Sequence, residues 1–307
     1  NKEEPSIIVL LSHNGVDVDK KMASKVSGID IILGGHTHDV LPKPIIVKNI
    51  SNSTLVLNSG CNGKFVSVLD LKIKGKSFSY KYKLLPVLSN QIKPSSEMDF
   101  LINNFKDPHR GHLDEVIGKS NIDLYRRGNF NGSFDNLVCD SMTNVLDSEI
   151  SLSPGFRWGP TILANDDIKM SDIYSHTAIT YPNVYRRELS GRDIKNILED
   201  VADNIFNPDP YLQQGGDMVR TTGLSYEISP KNNINQRIIN IRTNNGKPLN
   251  YNKKYVVTGW ASVNSEEDGE PIWDITRQYL SDIKYYDLTE VTQPKILQED
   301  DNFGIET

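Results

Sequence analysis

Three of the six histidines stand where the chain changes direction: His13 in LLSHNG, and His36 and His38 in ILGGHTH. Neutral imidazole is the commonest protein ligand for a metal ion. Ile7 to Leu11 and Ile29 to Leu33 are short continuous apolar runs, which read as strands covered on both faces. Each runs straight into one of the histidine segments, and ligands of open α/β sheets gather beyond the carboxyl ends of strands. Gly34 and Gly35 let the backbone turn, so that His36 and His38 approach a common cluster with His13. The chemistry expected there is divalent-metal binding, with Asn14 beside it as a supporting polar group.

A second set of residues suits an oxyanion. Gly215-Gly216-Asp217-Met218-Val219-Arg220 offers flexible backbone N–H donors next to a charged pair. Gly155-Phe156-Arg157-Trp158-Gly159 offers a guanidinium flanked by aromatics and hinged by glycines. The planar fork of Arg matches tetrahedral sulfonate or phosphate oxygens, so Arg157 and Arg220 are substrate-clamp candidates, with Gly215 and Gly216 as donors. Asp217 either orients Arg220 or touches the substrate. Arg126-Arg127 followed by GNFNG lines a cleft through Asn129 or Asn131, or forms a structural loop; Trp158 is the aromatic wall beside Arg157. His109, His112 and His176 lack a second ligand at useful spacing and are read as surface or loop residues. Cys61 and Cys139 are read as packed thiols, and Trp260 and Trp273 as core or cleft walls.

The elements that must position these groups follow from periodicity. A helical spacing over Asp19 to Ser27 between the two apolar runs gives a strand, helix, strand unit. Thr54 to Asn58, Lys64 to Ile73 and Ser77 to Leu85 alternate apolar and polar residues, as strands with one solvated face do. Residues 91–115 look helical but are interrupted at Pro108 and Gly111, which suits a connector between a domain over 1–90 and another over 116–307. In the second domain, helices are predicted over Phe134 to Leu146 and Gly191 to Phe206, the latter capped by Ser190 with Ile194, Leu198 and Val201 on one face. Strands are predicted at Glu149 to Ser153, Leu224 to Ile228, Arg237 to Thr243 and Tyr255 to Gly259, and Asn244-Asn245-Gly246 reads as a turn. Glu299 to Thr307 reads as an acidic tail.

Composition narrows the function classes. At about 150 residues per domain, 307 residues suggest two. A net charge of −6 gives no basic field for nucleic acid. No apolar run approaches the roughly 18 residues needed to span a bilayer. Two cysteines exclude a disulfide-dense scaffold and any Cys-rich zinc site. Asn1 to Pro5 is polar and lacks the order of a targeting segment.

The motif pair SHNG (12–15) and GIDIILGGHTH (28–38) resembles the closing part of the metallophosphoesterase domain of the 5′-nucleotidase superfamily. The resemblance implies an α/β metallophosphoesterase-type sandwich, C-terminal portion only, followed by an α+β 5′-nucleotidase C-terminal-type domain. It implies that His13 and His36 bind one ion of a dinuclear centre and His38 the other, the two ions lying roughly 3.5 to 4 Å apart. None of the superfamily's Asp-x-His, Gly-Asp and Gly-Asn-His-Asp motifs stands ahead of SHNG here, where the resemblance would put them, so the catalytic residues are expected upstream of residue 1. The chain by itself is then expected to be inactive and to hold metal weakly.

Longer stretches resemble the SoxB thiosulfohydrolases within that superfamily: NSGCNGKFVSVLDL (58–71), LYRRGNFNGSFDNLVCD (124–140), LSPGFRWG (152–159) and QQGGDMVR (213–220) among them. That resemblance implies release of sulfate from a cysteine-S-thiosulfonate on a SoxYZ-type sulfur carrier, two manganese ions, and a periplasmic location. Two alternatives stand beside it, a 5′-nucleotidase-type phosphoesterase and a non-catalytic binding module. Nucleotidases of the superfamily usually carry a Gly-Gly-Asp-Gly-aromatic loop that helps sandwich the base; here the matching segment is Trp260-Ala261-Ser262-Val263-Asn264-Ser265-Glu266, which favours a substrate with no base to stack.

Overall fold

The computed structural model describes residues 4–128, 130–213, 217–262 and 269–297. The chain divides into two units, one of Asn1–Leu101 with Asn207–Gly215 and one of Ile102–Phe206 with Gly216–Thr307.

The first unit follows the apolar runs. β1 (Val9–Leu11), α1 (Val16–Lys25), β2 (Ile31–Gly34), β3 (Ile45–Lys48) and β4 (Ser53–Asn58) give a four-stranded sheet in the order β1-β2-β4-β3. β1, β2 and β4 are parallel, and β3 returns antiparallel to β4. Adjacent residues of one strand point to opposite faces. Ile32 and Val56 therefore pack with Ala23 of α1 on one side. Ile31, Leu55 and Leu57 pack on the other side with Leu69, Leu71, Phe78 and Tyr82, from the hairpin of β5 (Phe65–Lys74) and β6 (Ser77–Pro86). The expectation of two covered faces holds for β2 but fails for β1, whereas β4, read as a strand with one solvated face, is buried on both. β1 is at the sheet edge, and Leu11 is 84% exposed.

In the second unit, α2 (Ser96–Lys106), which begins within the first unit's span, leads through a 3₁₀ turn at Pro108 to α3 (Arg110–Leu113) and β7 (Val116–Ser120). Pro108 lacks the N–H that would continue α2, which is why the helical pattern breaks there. α4 (Ser133–Val145), β8 (Ile150–Gly155), β9 (Ile168–Lys169), α5 (Met170–Thr177), β10 (Val184–Ser190) and α6 (Gly191–Ile205) follow. After them come β11 (Asp217–Thr222), β12 (Leu224–Ile228), β13 (Ile238–Thr243), β14 (Lys254–Trp260), α7 (Ile272–Ile283), β15 (Tyr285–Tyr286) and β16 (Lys295–Ile296). The main sheet has the order β10-β14-β8-β11, with α4 and α6 packed against it.

α6 illustrates how local signals and burial agree. Ser190 accepts from the Asp193 amide while the Asp193 carboxylate takes the Ser190 amide, a reciprocal cap worth about 1 kcal/mol. Ile194 and Leu198 are fully buried beneath it, at roughly 1.5 to 3 kcal/mol each.

Two elements of this sheet depart from the sequence reading. β10 was not predicted. The stretch beginning at Asp217, read as part of a glycine-rich donor loop, is strand β11, antiparallel to β8 with Asp217 opposite Gly155. The turn at Asn244-Asn245-Gly246 closes on Thr243 as predicted, with the Gly246 amide on its carbonyl at 2.8 Å. The predicted tail at Glu299 to Thr307 lies outside the described residues.

Candidate functional site

The histidine end of the first unit is built on close packing. Ser12, buried just after β1, donates its hydroxyl to Asp19 of α1 at 2.5 Å and its amide to the Leu33 carbonyl at 2.9 Å. Asp19 is buried in turn, and that burial raises its carboxyl above the ordinary value, partly offset by the Ser12 bond. Gly34 is required here, since a Cβ would lie 2.6 Å from Asp19 Oδ2. A Cβ on Gly35 would come within 3.2 Å of His13 Nδ1. The chain then passes through two left-handed histidines, His36 at φ 78° and His38 at φ 60°. Such a conformation in a non-glycine residue is strained and concentrates at functional sites.

His13 and His36 meet, their ring centroids 5.1 Å apart at 65°. Both are exposed, and His38 is half-buried. Asn14 turns back to Ser12, its amide and Nδ2 donating to that hydroxyl at 3.3 and 3.0 Å. The sequence reading gathered all three histidines, but no group of three or more His, Cys, Asp or Glu side chains able to hold a metal ion forms among the described residues. Two solvent-open imidazoles at this spacing can turn ring nitrogens toward one divalent ion. They fit as part of a metal centre and do not by themselves complete one.

The second unit holds a chain of alternating charges. Arg126 Nε donates to Asp135 Oδ1 at 2.8 Å, with both side chains sealed from solvent. Arg126 also donates to the carbonyls of His176 and Pro154, at 2.7 and 3.0 Å. Arg220 Nε lies 3.4 Å from Asp135 Oδ2, an ion contact without hydrogen-bond geometry, and its Nη2 donates to the Gly128 carbonyl at 2.7 Å. Asp217 Oδ2 is 3.4 Å from Arg220 Nη2 and 3.0 Å from Arg157 Nε. Arg220 and Asp217 are thus brought together with Arg157, but Arg220 faces the interior rather than solvent. Only the outer member, Arg157, keeps its side chain about a third exposed, at 34%.

Packing decides where Arg157 stands. Phe156 and Trp158 stack at 3.9 Å, Phe156 meets Trp260 edge-on, and the Arg126 guanidinium lies 5.0 Å from the Phe156 centroid. The two glycines act by close approach rather than as hinges. A Cβ at Gly155 would lie 2.6 Å from Asp217 Cβ, and one at Gly159, where φ is 94°, would lie 2.4 Å from the His176 ring. His176 is stacked on Phe134 at 3.9 Å. It is wholly buried on α5, which corrects its reading as a surface or loop residue. Burial and then the Arg126 charge push its imidazole down to about 3, so it is neutral.

Asn131 also departs from expectation. It is buried and committed, donating to Thr292 O at 2.7 Å and Asn136 Oδ1 at 3.2 Å while accepting from the Gly132 amide, so it is a structural tie and offers no cleft donor. Gly215, Gly216 and Asn129 lie outside the described residues. His109 and His112 are exposed, and Cys139 is a packed thiol whose burial pushes it far above the usual range. Asp135 was missed by sequence reasoning. Its signal is an acidic residue on the apolar face of a helix's first turn, which demands a buried cation. A cavity of about 650 Å³ lined by Thr143, Glu149, Lys253 and Tyr255 among others shares no lining residue with the charge chain.

Residues 111–275 match the family described as the 5′-nucleotidase C-terminal domain, and the chain belongs to that family. Among solved structures it is similar to the sulfate thiohydrolase SoxB of Thermus thermophilus, at 30% identity and TM-score 0.89, over 97% of this chain and 56% of that one. A 5′-nucleotidase precursor from Thermus thermophilus shares the fold at 20% identity and TM-score 0.80, over 97% of this chain and 65% of that one. Among curated proteins, a 5′-nucleotidase-related protein of Glossina morsitans morsitans is 28% identical over 280 residues, covering 79% of this chain and 49% of the relative. The chain thus spans about half to two thirds of the length of these three proteins. No helix of the described residues is long and apolar enough to cross a membrane.

Proposed function

We propose that this chain carries the histidine end of a metal centre and the oxyanion-binding domain of a SoxB-type hydrolase, which releases sulfate from a cysteine-S-thiosulfonate borne on a SoxYZ-type carrier protein. The observation that carries the reading is Arg157, a partly exposed guanidinium held at one end of a buried charge chain, in a protein 30% identical to a sulfate thiohydrolase over 97% of its length. Its fork would take two oxygens of the terminal sulfonate, while Asp217 fixes its Nε side. His13 and His36 would hold one ion and His38 would serve a second. Two divalent ions, manganese on the SoxB resemblance, would supply Lewis-acid polarisation and a water acidic enough to act near neutral pH. We assign residues 1–90 to the rear part of a metallophosphoesterase-type domain and residues 116–307 to the substrate domain, joined by residues 91–115. The periplasm is the compartment that fits this reaction.

A second reading has its own support, because the curated relatives at 24 to 28% identity are named as nucleotide phosphoesterases and nucleotidases. The test is turnover by the whole protein with Mn²⁺. Sulfate release from a thiosulfonate-loaded carrier, with nucleoside monophosphates left intact, supports the thiosulfohydrolase. Nucleotide hydrolysis without carrier turnover overturns it in favour of the phosphoesterase. Carrier or oxyanion binding with neither hydrolysis would indicate a binding module.

A further inference from the structure

The interior members of the charge chain balance one another. Arg126 and Arg220 carry two positive charges, Asp135 and Asp217 two negative ones, and all four side chains are almost sealed, Asp217 being the least so at 6% exposed. Arg157 is the fifth member and stands at the solvent end of the chain, its side chain 34% exposed. The cation facing solvent therefore comes with a carboxylate 3.0 Å from its Nε. That carboxylate cannot swing away. Arg220 holds it from behind at 3.4 Å, and Asp217 Cβ sits against Gly155 with no space for another carbon.

This arrangement treats a first and a second negative charge on a ligand differently. The first is attracted by Arg157. Among the five members of the charge chain the second meets no new cation, and it lies within several ångströms of the Asp217 carboxylate. At an effective dielectric near 20, such a pair repels strongly enough to change affinity by roughly tenfold to a hundredfold. Resting on the function proposed above, we infer that Asp217 is a specificity-determining residue that makes this site favour a singly charged terminal sulfonate over a doubly charged phosphate.

The charged groups that face Asp217 are Arg157 on the loop after β8, Arg220 on β11, Asp135 on α4 and Arg126 before α4. Burial outweighs the two nearer arginines and pushes the Asp217 carboxyl up to about 6. The selectivity should then be present at pH 8, where Asp217 is ionised, and fade toward pH 5.

S-sulfocysteine and O-phosphoserine make a matched pair of probes, with a singly charged and, at pH 8, a doubly charged terminal group. Titrations followed by NMR at the Arg157 Nε–H and the Trp158 indole count binding at this site alone. The wild-type protein should bind S-sulfocysteine more tightly, and Asp217→Asn should move the affinity ratio at least tenfold toward O-phosphoserine. Sulfate and methanesulfonate, neither of which titrates between pH 5 and 8, give the same test without a substitution. Lowering the pH should favour sulfate relative to methanesulfonate, and this series decides the matter if Asp217→Asn does not fold. Arg157→Ala, read at the Trp158 indole, should weaken every probe. If it does so while neither Asp217→Asn nor pH moves the ratios, this inference fails and the oxyanion reading stands. If Arg157→Ala leaves all affinities unchanged, or no probe binds, both fail.

Discussion

Asp135 accepts from Arg126 Nε at 2.8 Å where neither side chain reaches solvent, so the charge of each depends on the other's. Removing one partner of such a pair leaves an uncompensated buried charge, at a cost of about 3 to 5 kcal/mol. Asp135→Ala should therefore lower the unfolding free energy by that amount, checked by urea unfolding monitored by circular dichroism. A loss below about 1 kcal/mol, the range of surface pairs, would show that the pair is hydrated in solution.

Gly159 and His176 are related in the same way by lack of space. Gly159→Ala would put a methyl 2.4 Å from the imidazole in a left-handed conformation that an L-residue adopts only at about 1 to 2 kcal/mol. The ring is pinned on Phe134 and cannot retreat. A destabilisation of about 2 kcal/mol or more is expected, with weakened oxyanion binding because the Arg157 loop must shift; an unchanged melting temperature would refute it.

His36 occupies the left-handed region at φ 78°. Replacing it by Gly relieves that strain, so His36→Gly should leave the metal-free protein more stable by about 1 kcal/mol. The same change removes a proposed ligand and should abolish Mn²⁺-dependent turnover by the whole protein. Calorimetric titration of Mn²⁺ beside a thermal melt checks both. Full activity would remove His36 from the metal centre.

Asp217 gives a pH signature of stability. Its carboxyl is raised to about 6, chiefly by burial, so the folded state binds this proton more tightly than the unfolded chain does. The sign follows from linkage: stability is greatest below the unfolded pKa near 4 and declines as pH rises from there to about 6, by about 3 kcal/mol. Asp217→Asn cannot ionise and should lose that decline. Stability curves of the two proteins between pH 4 and 8 should therefore differ in slope, and parallel curves would contradict the assignment.

Several features were legible in the sequence because their causes are local. The apolar runs around Ile32 and Val56 specify sheet strands, Ser190 and Asp193 three residues apart specify a helix start, and Gly34-Gly35 before His36 specifies a sharp turn at a strand end. The pairing of the charges has no such local signal. Arg157 and Asp217 are 60 positions apart, and nothing in the periodicity around either says that they meet. Strand β11 was hidden because its pattern follows burial against α4 and α6 rather than alternation.

The sequence by itself determined the candidate ligands at the strand ends and which arginines flank glycines and aromatics, since residue type and short spacing are enough for that. Only the tertiary structure decided that Arg220 faces inward and Arg157 outward, that Asn131 and His176 are buried, and that His13 meets His36 without forming a group of three ligands among the described residues. Burial and long-range charge pairing depend on which segments the fold brings together, and no local stretch of chain contains that information.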